Sequence, residues 1–209
     1  MILLNKYPFK SVRESVQIIL FCFVSGFIAS CDTSSPCWDE IVFPDPLASP
    51  YVLPFPVGTS SELFQAYCNK KGHRGRLAYD FKLATGDPIT ASRAGKVVVA
   101  IHKYRDDDHT PGNNNRVAIR HADSTIAWYA HLQQNSVAVQ VGAIIQPGDT
   151  LGLCGLSGRS GRVPHLHFEV FKTDLYDYAD AIPVSFSNLS GELDARGMLI
   201  PGETYLARP

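Results

Sequence analysis

Between residues 77 and 170 the chain is built of short apolar runs in which hydrophobic and polar or small residues tend to alternate. They are LAYDF (77–81), PITAS (88–92), KVVVAIHKY (96–104), RVAIRH (116–121), TIAWYAHL (125–132), SVAVQV (136–141), DTLGLCGL (149–156) and HLHFEV (165–170). Each has strand length, is rich in β-branched or aromatic residues and is bounded by Gly, Pro, Asp or Asn. The pattern predicts a mainly β protein, a curved antiparallel sheet with long loops. Only 61–67 (SELFQAY) reads as a short helix, and 179–209, within a C-terminal stretch over 176–209, shows turn signals without a clear period. That last stretch is expected to pack on the domain as a C-terminal extension.

The first thirty residues are different material. Lys6, Lys10 and Arg13 precede an uncharged run from Ile18 to Ser30, an n-region followed by an h-region of the signal-peptide kind. The run is shorter than the roughly 20 apolar residues that span a bilayer, although a plain transmembrane anchor is the competing reading. It ends in Ile28-Ala29-Ser30-Cys31, which resembles a bacterial lipobox, so Cys31 is the expected lipidation site and new N-terminus. Residues 31–59, rich in Pro, would then form a lipidated tether and extended lead-in, with a catalytic domain over 60–175. The expected location is the bacterial cell envelope, with the membrane contacted through the lipid; the leaflet is left open.

Charge and cysteine counts sharpen this picture. The 209 residues carry 19 Lys+Arg and 20 Asp+Glu; without the leader, 179 residues at a net charge of −3 remain. A slightly acidic chain lacks the phosphate attraction that nucleic-acid binders need, so no nucleic-acid partner is expected. The composition does not speak to oligomeric state, and a monomer is assumed. Of five cysteines, Cys22 leaves with the leader and Cys31 is acylated. Cys154, in an apolar run, reads as a small buried hydrophobe, while Cys37 and Cys68 flank the Pro-rich segment and form a possible disulfide in an oxidising compartment. A Cys/His metal cluster competes with that pairing, but no CxxC spacing exists.

The strongest chemical signal is Pro164-His165-Leu166-His167-Phe168-Glu169-Val170. On a strand His165, His167 and Glu169 share one face, with the two imidazoles about 7 Å apart over an apolar floor. That geometry suits a metal ligand beside an acid/base group. Two further segments accompany it, Trp128-Tyr129-Ala130-His131-Leu132 and the stretch from Gly72 to Phe81 that holds His73 and Asp80.

Together the three segments, in this order and with the intervening 86–98 and 155–160 runs, resemble the lysostaphin/LytM-type zinc metallopeptidases. The resemblance covers roughly residues 51–170. It implies one Zn2+ per chain held by His73, Asp80 and His167, with His131 and His165 as the catalytic pair beside the bound water. Which of that pair is the general base stays open. Six residues separate His73 from Asp80 where the compact form of the family has three, so the segment must fold back on itself, and His73 is the ligand this departure puts in question. The implied function is a zinc metalloendopeptidase acting on the peptide stems or cross-bridges of peptidoglycan. The alternative is a catalytically silent relative that activates another wall hydrolase, although all five positions are present here.

The other histidines are expected to be bystanders: His121 structural, His102 and His109 flanking a polar loop around Asp106–Asp108. The Gly-rich run 155–162 lacks a P-loop ending and reads as a wall of the substrate groove, with Arg159 and Arg162 available to anionic groups.

Overall fold

The computed structural model of the protein describes residues 41–67, 72, 73, 75–173, 175 and 177–209. The leader, Cys31 and the Cys37–Cys68 pairing lie outside the described residues. Among the described residues there are eleven strands: β1 (Ser60–Gln65), β2 (Ala78–Lys82), β3 (Pro88–Thr90), β4 (Gly95–Ile101), β5 (Asn115–Arg120), β6 (Ile126–Leu132), β7 (Ile144–Ile145), β8 (Thr150–Leu153), β9 (Leu166–Phe171), β10 (Leu189–Ser190) and β11 (Thr204–Ala207). Nine form one sheet in the order β10-β11-β1-β2-β9-β6-β5-β4-β7, and β3 pairs with β8 in a second. Every pairing is antiparallel.

Three expectations change. The stretch 61–67 is mostly strand rather than helix: β1 pairs with β2 on one side and β11 on the other, burying Ser61 and Leu63 at alternate positions. Two sheet partners outweigh the weak helical preference of so short a segment. The C-terminal stretch does more than pack alongside, since β10 and β11 extend the sheet. The run SVAVQV, predicted as a strand, has no strand assignment; Ala138 N–H donates to the Leu151 carbonyl at 2.9 Å beside β8.

The register sorts the two faces of the large sheet. Directly paired residues share a face, so Tyr79, Phe168, Tyr129 and Val117 form one cross-strand row and Asp80, His167, Ala130 and Arg116 another. In β2 and β9 adjacent residues belong to different rows and therefore to opposite faces. The first row faces the core. Phe186, from the C-terminal segment, sits 5.6–5.9 Å (ring to ring) from Tyr79, Phe81 and Phe168. Tyr51, Leu53 and Phe55 of the lead-in are buried in the same cluster, each apolar side chain contributing about 1.5–3 kcal/mol on full burial. Within the Pro-rich segment Pro46–Ala48 forms a one-turn 3-10 helix, and Tyr51, Leu53 and Phe55 are core.

Tyr129 shows how the core handles a polar tip. Its hydroxyl accepts the Ser92 N–H at 2.8 Å inside the protein. Tyr129→Phe should leave that donor unpaired and lower unfolding stability by about 1–3 kcal/mol in urea titrations. Cys154 is fully buried, and burial pushes its thiol up to about 12, as expected for an inert small hydrophobe. His121 is buried against the edge of Tyr51 with its Nδ1 2.8 Å from the Ala94 carbonyl, a structural role.

Candidate active site

The second face carries the polar row, and it is roofed by loops rather than by core. A cleft of about 740 Å³ opens there, lined by His73, Asp80, His131, His165 and His167 among others. All five side chains are buried, at 3–8% exposure. The register accounts for two of them at once: Asp80 on β2 stands directly opposite His167 on β9. His165, two residues before His167, reaches the same face, as strand alternation predicts. His73 arrives from the turn preceding β2, and its Nε2 lies 3.2 Å from Asp80 Oδ2 in spite of the longer interval.

His131 reaches the site by a different route. Arg116 pairs with Ala130 and Asn115 with Leu132, which leaves His131 as the extra residue of a β-bulge. Its φ of 65° is left-handed, a conformation that costs a non-glycine residue about 1–3 kcal/mol. Regular alternation would send Ala130 and His131 to opposite faces. The bulge instead re-aims His131 toward the cleft, with its ring centroid 4.7 Å from that of His165.

Both rings are anchored in the same way. His131 Nδ1 is 2.8 Å from the Ser157 carbonyl and His165 Nδ1 is 2.8 Å from the Val163 carbonyl. A carbonyl can only accept, so each ring carries its proton on Nδ1 and keeps a lone pair on Nε2. His165 Nε2 lies 3.7 Å from Asp80 Oδ1. Burial, followed by repulsion from His165 and His167, pushes His131 down to about 3; burial also lowers His165. Both imidazoles are therefore neutral near pH 7.

Gly155 makes the His131 anchor possible. Its N–H donates to the His131 carbonyl at 2.9 Å, and a Cβ there would lie 2.4 Å from the Gln133 backbone and 2.7 Å from Asp106 Oδ1. Gly155→Ala should push the loop off β6 and displace Ser157. A loss of about 1–3 kcal/mol in stability, accompanied by a changed histidine signal for His131 in NMR spectra, is the expected result.

His73, Asp80 and His167 can hold a metal ion: one ligand atom from each lies within 4.8 Å of the others. Around a tetrahedral ion with bonds of about 2.0–2.1 Å, donor atoms stand roughly 3.3 Å apart. The separations here are 3.2 Å from His73 Nε2 and 2.8 Å from His167 Nδ1 to the Asp80 oxygens. Two imidazoles and one carboxylate are also the donor set of an open, catalytic type of site. Burial opposes the Asp80 charge, but hydrogen bonds from His167 and His73 outweigh it and hold the carboxyl well below the usual range. Burial would lower His167, yet its bonds to Asp80 and Glu169 raise it to about 9.

The far side of His167 is supported by residues that motif reading did not single out. Its Nε2 faces Glu169 Oε2 at 3.4 Å, the carboxylate–histidine arrangement that orients a ligand ring. Arg76 Nη2 lies 2.5 Å from the same oxygen and 3.1 Å from His167 Nε2, and its guanidinium stacks on Tyr178 at 3.8 Å. Glu169 is legible from alternation, being on the His167 face. Arg76 and Tyr178 come from a turn and from the C-terminal extension, with no local signal to join them. Phe64, at the bulge of β1, exposes its ring to the cleft 6.2 Å from His165. Of the two predicted groove arginines, Arg159 lines the cleft, whereas Arg162 is exposed and is not among the lining residues. The left-handed backbone at Arg162 (φ 61°) follows Gly161, itself at φ 65°, so the chain turns before this side chain can join the wall.

Known proteins resemble this chain over part of its length. Peptidoglycan DD-endopeptidase ShyC of Vibrio cholerae is 38% identical over 99 residues, covering 47% of this chain and 20% of that protein. Outer membrane antigenic lipoprotein B of Haemophilus influenzae is 30% identical over 137 residues, 66% of this chain and 30% of that one. The chain thus spans between a fifth and a third of the length of these two curated relatives. Among solved structures, the catalytic domain of lysostaphin from Staphylococcus simulans is similar with a TM-score of 0.46 at 24% identity, over 60% of this chain and 87% of that one. Peptidase family M23 matches residues 73–178, about half of the sequence and the segment that carries all five cleft residues, and the chain belongs to that family.

Proposed function

We propose that this protein is a zinc metalloendopeptidase that hydrolyses peptide bonds in the stems or cross-bridges of bacterial peptidoglycan. The observation that carries the reading is the convergence of a three-donor metal site with two neutral imidazoles whose Nε2 lone pairs are free of their backbone anchors. His73, Asp80 and His167 would be the ligands. Zinc, when bound, supplies an activated water and a polarised scissile carbonyl.

The rest of the work falls to His131 and His165. One Nε2 accepts the proton of the attacking water, and the resulting imidazolium can return it to the leaving amine. The other ring, neutral with its lone pair on Nε2, can accept a hydrogen bond from the second O–H of the same water and so fix its orientation for attack. Backbone carbonyls hold both rings in place before substrate arrives, so little reorganisation is needed. Glu169 and Arg76 keep the His167 ring turned so that Nδ1 faces the ligand position. Phe64 gives the cleft an apolar rim for substrate packing.

The envelope location belongs to the same proposal: a signal peptide over residues 1–30, a lipid on Cys31, and the lead-in placing the domain near the wall. The peptidoglycan activity named for ShyC and the lipoprotein name of the Haemophilus relative support it by similarity.

The test is digestion of purified peptidoglycan by the full chain, with and without a chelator, followed by mass analysis. New peptide termini that vanish with chelator and return with zinc are the expected result. Walls of several chemistries left uncut by zinc-loaded protein would refute the enzyme and leave a scaffold that acts on another hydrolase.

A further inference from the structure

The cross-strand row that holds Asp80 and His167 continues through Ala130 to Arg116. Arg116 therefore projects from the same face as the metal site, two strands away, which at about 4.8 Å per strand is roughly 10 Å from His167. Ala130, the small residue between them, is itself buried, and the two positions meet through the cleft that His167 and Arg116 both line. Arg116 and Trp128 both line the cleft.

The Arg116 guanidinium is held in place by neutral groups. Nη1 donates to the Asn114 carbonyl at 2.9 Å and to Asn114 Oδ1 at 2.8 Å, and the group lies 5.1 Å from the Trp128 ring centroid. Arg159 rises from the adjoining loop, where Gly158 packs against Asn114 so tightly that a Cβ would meet it at 2.8 Å. Arg76, Arg93, Arg105 and Arg196 each pair with a carboxylate. Among the described residues, neither Arg116 nor Arg159 does. The two carboxylates that line the cleft, Asp80 and Glu169, are already engaged by His73, His167 and Arg76. The cleft thus presents two guanidinium groups whose charge is uncompensated within the described protein, one of them fixed by stacking and carbonyl bonds before any ligand arrives.

We propose that Arg116, assisted by Arg159, forms a carboxylate-binding subsite that selects peptides bearing an acidic group about two or three residues from the scissile bond. The spacing follows from the roughly 10 Å gap and about 3.4 Å per residue of extended peptide. A fixed guanidinium reads a carboxylate through paired charge-assisted bonds, which a carboxamide cannot replace. The inference rests on the peptidase reading above for its substrate class.

The experiment uses the stem peptides that wall digestion releases or consumes, synthesised as free acids and as the matching carboxamides. Zinc-loaded full chain should cleave the acid form with a kcat/KM about 10- to 100-fold above that of the amide, a preference that shrinks as salt is raised. Arg116→Gln should collapse the ratio toward one, Arg159→Gln should reduce it partly, and Arg116→Lys, which keeps the charge but not the fork, should fall between. Calorimetric binding of the same pairs to chelator-treated protein provides a readout independent of catalysis and should show the same order. Equal rates for acid and amide in the wild type, or a ratio unchanged in both glutamine variants, would overturn the subsite. Acid-selective, Arg116-dependent binding without cleavage would sustain the subsite while refuting the peptidase reading.

Discussion

His131→Ala is expected to retain one zinc per chain and to lose about 10²- to 10⁴-fold in kcat/KM on peptidoglycan fragments, the range of an acid/base group. His131 is not among the three converging donors, so metal content should survive. What is removed is a ring buried to 8% exposure, anchored through Nδ1 on Ser157 and kept neutral by burial. Because burial holds its pKa near 3, an acid limb of the rate profile at pH 5–7 should not come from His131 itself. His165→Ala should cost a similar factor, and the double variant much less than the product of the two, since the rings act as a unit. Elemental analysis beside steady-state rates separates the outcomes. Loss of zinc in His131→Ala would mean that the bulged histidine is a ligand, and full activity would remove it from the mechanism.

Metal removal has the other large expected effect. Chelation should abolish cleavage and zinc should restore it, while Asp80→Asn should prevent stoichiometric zinc binding altogether. Asp80 is the carboxylate against which His73, His165 and His167 all lie, at 3.2, 3.7 and 2.8 Å. Without metal, removing one partner of such a buried charged pair costs about 3–5 kcal/mol, so metal-free Asp80→Asn should also unfold at lower urea than metal-free wild type. His73→Ala tests the ligand placed in question by the longer spacing. It should lose zinc despite the six-residue interval, because the turn brings Nε2 to 3.2 Å from Asp80. Retained stoichiometric zinc with full activity would show that another histidine fills the position.

Strand periodicity is local, and what depends on it was readable in the chain. The alternation through 165–170 places His165, His167 and Glu169 on one face and Leu166, Phe168 and Val170 on the other, whichever strands lie alongside. Cys154 as a buried hydrophobe and His121 as a structural residue follow from the same local reading. Ser61–Tyr67 misled because a segment of that length is decided by its neighbours, and β1 lies between β2 and β11. The C-terminal strands were hidden for a related reason: β10 and β11 are short, and their alternation is visible only once paired.

By itself, then, the sequence determined a mainly β protein, the shared face of the His-x-His strand and a motif set that resembles one family of zinc peptidases, since these rest on side-chain type and a period of two. Tertiary structure alone decided how distant segments meet. It turned His131 into the cleft through a bulge at φ 65°, brought His73 to Asp80 and Arg76 to Glu169, and set Arg116 in the same row as Asp80 and His167 while leaving Arg162 outside. Those outcomes depend on strand register and loop closure. Both are sums over contacts between residues far apart in the chain, and no local pattern encodes them.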